Sequence, residues 1–139
     1  MSTIKNLFFT IIFTVTVSSP CLASEINIAI IDTGIDPHNP IFKDRLYIGN
    51  NKASSEQYGV DFSLNASNKY LPYDQHGHGT HIAGIIAELA PKARLHIMKY
   101  YNPSASGQEN LQSTINALEH AISLGVDIIN YSSGGPEPS

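Results

Sequence analysis

Hydrophobic positions follow two rhythms along the chain. Ile26-Asn27-Ile28-Ala29-Ile30-Ile31 is a short, nearly continuous apolar run rich in β-branched residues. Such a run predicts a strand buried on both faces, as in a parallel sheet. Tyr58–Phe62 predicts a short edge strand, preceded by turn-rich sequence over 36–57 and followed by a polar loop over 63–74. From Thr80 the rhythm changes. Ile82, Ile85, Ile86 and Leu89 recur at the spacing of one helix face, and Pro91 stops that helix. Arg94–Tyr100 reads as another strand and Pro103–Gln108 as a loop. Leu111, Ile115, Leu118 and Ile122 mark a second amphipathic helix, closed by Gly125 as its C-cap. Val126–Asn130 reads as a third buried strand. Strands alternating with helices predict βαβ units, hence an α/β fold on a parallel sheet. Functional groups in such sheets gather beyond the carboxyl ends of the strands. Asp32 and the Ser132–Gly135 stretch fall at such ends.

The first 23 residues follow neither rhythm. Lys5 precedes an apolar stretch, Leu7–Val17, and then come Ser18, Ser19, Pro20, Cys21, Leu22 and Ala23. This is a positive segment, an apolar segment and a small-residue cleavage site. The apolar run is too short to span a bilayer as a helix. The sequence therefore predicts a signal peptide over 1–23, cleaved after Ala23, and one domain over 24–139. It also predicts an exported protein, secreted or periplasmic, with no membrane association once the signal is removed. An uncleaved anchor and a lipid attached at Cys21 are the competing readings, and Ser18-Ser19-Pro20 fits the lipid pattern poorly. Cys21 is the only cysteine, so the processed chain has neither disulfide nor thiol chemistry. With 42% hydrophobic residues, 14% charged residues and a net charge of −4, the composition is that of a globular domain. No Lys/Arg run points to nucleic acid.

The candidate chemistry is concentrated in two stretches. Asp32 ends the first apolar run, and a buried carboxylate is costly unless something pairs with it. It reads either as a turn aspartate or as the orienting carboxylate of a histidine. Residues 74–84 read Asp-Gln-His-Gly-His-Gly-Thr-His-Ile-Ala-Gly, with three histidines inside six positions. His78 lies just before the predicted helix, between two glycines. A helix N-terminus disfavours added positive charge, which suits a group that must accept a proton. His81 is expected to be a buried packing or hydrogen-bonding residue, and His76 a loop residue. The alternative is a zinc hydrolase in which His76, His78 and His81 are the ligands.

Three stretches together resemble the subtilisin-like serine proteases, the subtilases. Ile30-Ile31-Asp32-Thr33-Gly34-Ile35-Asp36 resembles the family's aspartate motif. Gly77-His78-Gly79-Thr80-His81-Ile82-Ala83-Gly84 resembles its histidine motif. Ile128-Ile129-Asn130-Tyr131-Ser132-Ser133-Gly134-Gly135 resembles the strand and segment that pair with substrate, and Ala90–Leu95 resembles the family's linker into the next strand. The similarity covers residues 26–136. It implies a three-layer, parallel-sheet subtilisin-like fold, of which this chain is the N-terminal half only, and a partial catalytic domain over 24–139. It implies peptide-bond hydrolysis on polypeptide substrates, with His78 as the base and Asp32 fixing its tautomer. Ser132, Ser133 and Gly134 would line the substrate site, and Asn130 would be a scaffold residue.

The departures from the family are as informative. The nucleophile normally lies far downstream in a Gly-Thr-Ser-x-Ala segment, after the oxyanion asparagine, and these 139 residues hold no such segment. Ser132 and Ser133 are poor substitutes. The expectation is a serine endopeptidase by family that is inactive as this chain. The non-catalytic alternatives are a peptide-binding fragment, or one that pairs with a separate C-terminal segment carrying the serine. No cofactor is expected. Many relatives place an acidic calcium ligand just past a proline after the aspartate motif, but here Ile41 follows Pro40. By analogy with the family, the last strand would have further strands beside it. In this chain it is expected to be an exposed apolar edge, making the domain marginally stable.

Overall fold

The computed structural model describes residues 25–47 and 58–133. The expected signal segment, Cys21, Gly134 and Gly135 lie outside those residues. Four strands form one parallel sheet: β1 (Asn27–Asp32), β2 (Gly59–Asp61), β3 (Arg94–Lys99) and β4 (Ile128–Tyr131). Their order is β2-β3-β1-β4, so the first apolar run is a central strand. It pairs with β3 from Asn27↔Arg94 to Asp32↔Lys99, and with β4 from Ile28↔Ile128 to Ile31↔Tyr131. Two helices complete the unit, α1 (His78–Leu89) and α2 (Gly107–Leu124), with a short 3-10 helix at Pro40–Phe42. The α/β parallel-sheet class is the one expected. Several boundaries moved: α1 starts at His78 rather than Thr80, α2 starts at Gly107, inside the expected loop, β3 stops at Lys99 rather than Tyr100, and β4 runs over Ile128–Tyr131 rather than Val126–Asn130.

β1 is buried on both faces because its side chains alternate between two cores. Ile28 and Ile30 pack with Phe42, Leu46, Ala83, Ala87, Leu95 and Ile97 on the α1 side. Ala29 and Ile31 pack with Met98, Ala117 and Ala121 on the α2 side. The helices cover opposite faces of the sheet, giving three layers.

The helix faces differ from the expectation. The fully buried positions of α1 are Gly79, Ala83 and Ala87, and those of α2 are Ser113, Thr114, Ala117 and Ala121. Small residues at i, i+4, i+8 let each helix axis approach the sheet closely. The large aliphatic residues are rotated away from that contact line. Ile82 and Ile86 flank the core, whereas Leu89 is 81% exposed and Ile122 70% exposed. Ile85, Leu111 and Ile115 are exposed as well.

The ends of α2 follow from its sequence. Ser106 accepts a hydrogen bond from the Glu109 N–H, and the Glu109 carboxylate accepts one from the Ser106 N–H, a reciprocal capping box. Gly125 closes the helix at φ 66°, a conformation that costs other residues about 1 kcal/mol. Among the described residues β4 pairs with β1 alone and lies at an edge of the sheet, with Ile128 and Tyr131 exposed. It is the exposed apolar edge expected of this chain, not the buried strand that its apolar run alone suggests.

β3 carries one buried histidine. The His96 ring stacks on Tyr47 at 4.1 Å, its Nε2 donates to Asn27 Oδ1 at 3.0 Å, and Nδ1 has no partner among the described residues. Burial lowers its pKa from 6.5 to about 4, with Arg94 and His120 acting in the same direction. The unfolded chain binds this proton near pH 6.5 and the folded chain only near pH 4. Stability is therefore unaffected by His96 above 6.5 and falls as the pH drops from there towards 4, by up to about 3 kcal/mol. Urea unfolding across this window is expected to show that slope, and His96→Phe is expected to flatten it. An unchanged slope in the variant would assign the acid sensitivity to other groups.

Candidate active site

The end of β1 and the start of α1 meet at one point. Asp32, the last residue of β1, is 2% exposed. Its Oδ1 accepts from the Thr33 N–H at 2.7 Å and from His78 Nδ1 at 2.8 Å, while Oδ2 has no partner among the described residues. His78 is the first residue of α1. Its side chain is 43% exposed against 3% for Asp32. The buried carboxylate holds Nδ1, and no described residue hydrogen-bonds Nε2. A carboxylate on Nδ1 fixes the proton there and leaves the Nε2 lone pair outward, the tautomer a base needs.

This contact requires an unusually close approach of helix to strand. A Cβ on Gly79 would lie 2.4 Å from the Gly34 carbonyl oxygen and 3.2 Å from Asp32 Cβ. Only glycine allows α1 to begin directly against the strand end.

His78 and Asp32 line a cavity of about 200 Å³ together with Thr33, His76, Tyr100, Tyr101, Ser132 and Ser133. The segment expected to bind substrate thus joins the site from the far end of β4. Ser132 Oγ is engaged with the Asn130 side chain, at 3.0 Å from its Nδ2. Ser133 Oγ accepts from the Tyr100 hydroxyl at 3.1 Å. Neither serine hydrogen-bonds His78. Gly134 lies outside the described residues.

The three histidines separate. His76 is an exposed loop residue, edge-on to His78 at 6.4 Å and to Tyr101 at 5.9 Å. His81 is exposed, which corrects the expectation of a buried packing residue. The sheet-facing positions of α1 are 79, 83 and 87, and a residue two steps from 79 and 83 points to the opposite side of a helix. It lines a separate open hollow with Asn39, Ile41 and Glu88. Among the described residues no group of three His, Cys, Asp or Glu is placed to hold a metal. The zinc triad is therefore not assembled.

Comparison with known proteins bears on this arrangement. The family model for peptidase S8, the subtilase family, matches residues 23–139. The chain belongs to the subtilase family. It is 35% identical over 121 residues to an intracellular serine protease of Paenibacillus polymyxa, covering 81% of this chain and 34% of that one. It is 36% identical over 125 residues to subtilisin E of Bacillus subtilis strain 168, covering 84% of this chain and 29% of that one. The chain thus spans about a third of these relatives' length. The crystal structure of a lanthipeptide protease superposes with a TM-score of 0.59 at 24% identity, over 79% of this chain and 29% of that one. That likeness shows a shared fold.

Two features of this candidate site were not anticipated. Tyr100, read only as a strand end, is placed by its N–H bond to the Asp32 carbonyl at 3.0 Å, and burial pushes its hydroxyl pKa up. Asp74 is buried and accepts five hydrogen bonds, one each from Thr33, His76 and Gly77 and two from Thr80. Burial alone would raise its pKa, but the Thr80 hydroxyl and the N–H groups of Gly77, Thr80 and His76 overcome that and lower it to about 2. The sequence signal was an aspartate three positions before a glycine-opened helix, a local capping pattern.

Gly79→Ala is expected to push α1 off the strand end, because the opposing atom is a backbone oxygen that cannot rotate away. The expected cost is on the order of 2 kcal/mol in denaturant unfolding, with the Asp32–His78 hydrogen bond broken in a structure of the variant. Retention of that bond at full stability would contradict the close-approach argument.

Proposed function

We propose that this chain carries the acid–base half of a subtilase serine endopeptidase acting on polypeptides. The observation that carries the reading is the 2.8 Å bond between buried Asp32 and half-exposed His78 at the carboxyl end of a parallel strand. In this reading His78 Nε2 removes the proton from a serine hydroxyl as that oxygen attacks the substrate carbonyl carbon. The same proton then passes from His78 to the leaving amine as the peptide bond breaks. Asp32 keeps Nδ1 protonated and stabilises the imidazolium formed in between. An extended substrate adds beside the open edge of β4, reaching Ser132, Ser133 and Gly134.

Among the described residues no serine is hydrogen-bonded to His78, and the two that line its cavity, Ser132 and Ser133, are bonded to Asn130 and Tyr100; this supports a nucleophile lying elsewhere. Triad members act as a unit, so without the serine most of their contribution is lost. The 139 residues alone are therefore expected to hydrolyse a fluorogenic peptide no faster than the Asp32→Ala and His78→Ala variants do. Turnover that both substitutions abolish, and that a serine-directed reagent blocks, would show that a serine within these residues serves as the nucleophile.

A second reading is favoured by the one-sided pairing of β4. The chain would serve as a binding fragment, either for extended peptides or for a segment bearing the serine. Co-purification with such a segment supports it; a chain that remains alone in its source contradicts the pairing with a serine-bearing segment.

The N-terminal segment is proposed to export the protein. N-terminal sequencing of the exported form is expected to begin at Ser24. A form retaining Met1 would contradict cleavage.

A further inference from the structure

The N-terminus of α1 lacks the usual cap. Its N-cap is Gly77, which offers no side chain to the first helical N–H groups. Asp74 takes over that work from three residues upstream. Its Oδ1 accepts from the N–H of His76 at 2.9 Å and of Gly77 at 2.8 Å. Its Oδ2 accepts from the Thr80 N–H at 2.9 Å and the Thr80 hydroxyl at 2.6 Å.

The fifth bond leaves the helix. The Thr33 hydroxyl donates to Asp74 Oδ1 at 2.9 Å and accepts from the Gly79 N–H at 2.9 Å. A hydroxyl has one hydrogen. With it committed to the carboxylate, the Thr33 oxygen must present a lone pair, and Gly79 supplies the matching donor. Thr80 is oriented in the same way: it donates to Asp74 and accepts from the Asp36 N–H at 3.0 Å. Both neighbours of His78 are therefore held by one carboxylate, Gly77 directly and Gly79 through Thr33. Thr33 is also the residue next to Asp32, and its own N–H bonds the Asp32 carboxylate.

We infer that Asp74 is a positioning residue for the proposed reaction, fixing the strand end and the helix start in the relative placement that sets the Asp32–His78 hydrogen bond. This rests on reading Asp32 and His78 as the working pair. An ordinary helix cap would add stability to α1 and leave the pair indifferent to its loss. The two possibilities separate at His78.

The test follows the low-field proton NMR resonance of His78 Nδ1–H in the purified chain, with its rate of exchange with water as the readout. Asp74→Ala and Thr33→Val are expected to speed that exchange about tenfold, as loss of a buried hydrogen bond allows. Thr33→Ser, which keeps the hydroxyl, is expected to restore the wild-type rate. Ser106→Ala, which removes the cap of α2 at a similar stability cost, is expected to leave it unchanged. An unaltered rate in folded Asp74→Ala and Thr33→Val, or an equal effect from Ser106→Ala, would overturn the positioning role. Where Asp74→Ala does not fold, the Thr33 pair of variants decides alone. Asp32→Asn checks the underlying reading separately. A resonance that survives it contradicts the pairing of Asp32 with His78. A resonance lost in Asp32→Asn but indifferent to Asp74 and Thr33 contradicts only the positioning role.

Discussion

Asp32 is a carboxylate with almost no access to water, at the end of a strand buried on both faces. An isolated charge in that position is strongly destabilising, so donors must be brought to it. Two arrive, the Thr33 N–H and His78 Nδ1. The second must come from another element, and the requirement shapes everything around it. α1 has to begin within contact distance of the strand end. That in turn demands a residue without a side chain at Gly79 and an alternative cap for a helix whose first position is occupied by the histidine.

The same economy of size recurs across the sheet. α1 seats on one face through Gly79, Ala83 and Ala87, and α2 on the other through Ala117 and Ala121. Close seating leaves the larger aliphatic side chains at the margins, where several face solvent. The carboxyl ends of β1 and β4 are adjacent in the sheet, since these strands pair directly. Ser132 and Ser133 therefore reach the cavity that His78 lines, although more than fifty positions separate them in the chain. Topology supplies the convergence, and the local motifs supply the chemistry.

Much of this was legible in the order of residues. The strands, both helices, the Gly125 cap and the Asp32–His78 partnership follow from periodicity and from motifs whose residue types have few other uses together. The seating of the helices was not legible, because hydrophobic periodicity weights large side chains, whereas close packing here selects alanine and glycine. His81 was misplaced as well: the buried face of α1 runs through Gly79, Ala83 and Ala87, and His81 lies on the other side. Asp74 stood in plain view within the histidine stretch. Its importance lies in bonds to Thr33, a residue 41 positions away, and no local pattern announces such a partner. Tyr100 enters the site only through the register that sets Asp32 beside Lys99.

The central claim is that Asp32 holds His78 in the tautomer that can accept a proton at Nε2. Nitrogen-15 chemical shifts of the His78 ring in the neutral form measure this directly. The account requires a protonated Nδ1 and an unprotonated Nε2, with that preference lost in Asp32→Asn. A ring protonated at Nε2, or one averaging freely between the two tautomers in the wild-type chain, would contradict it.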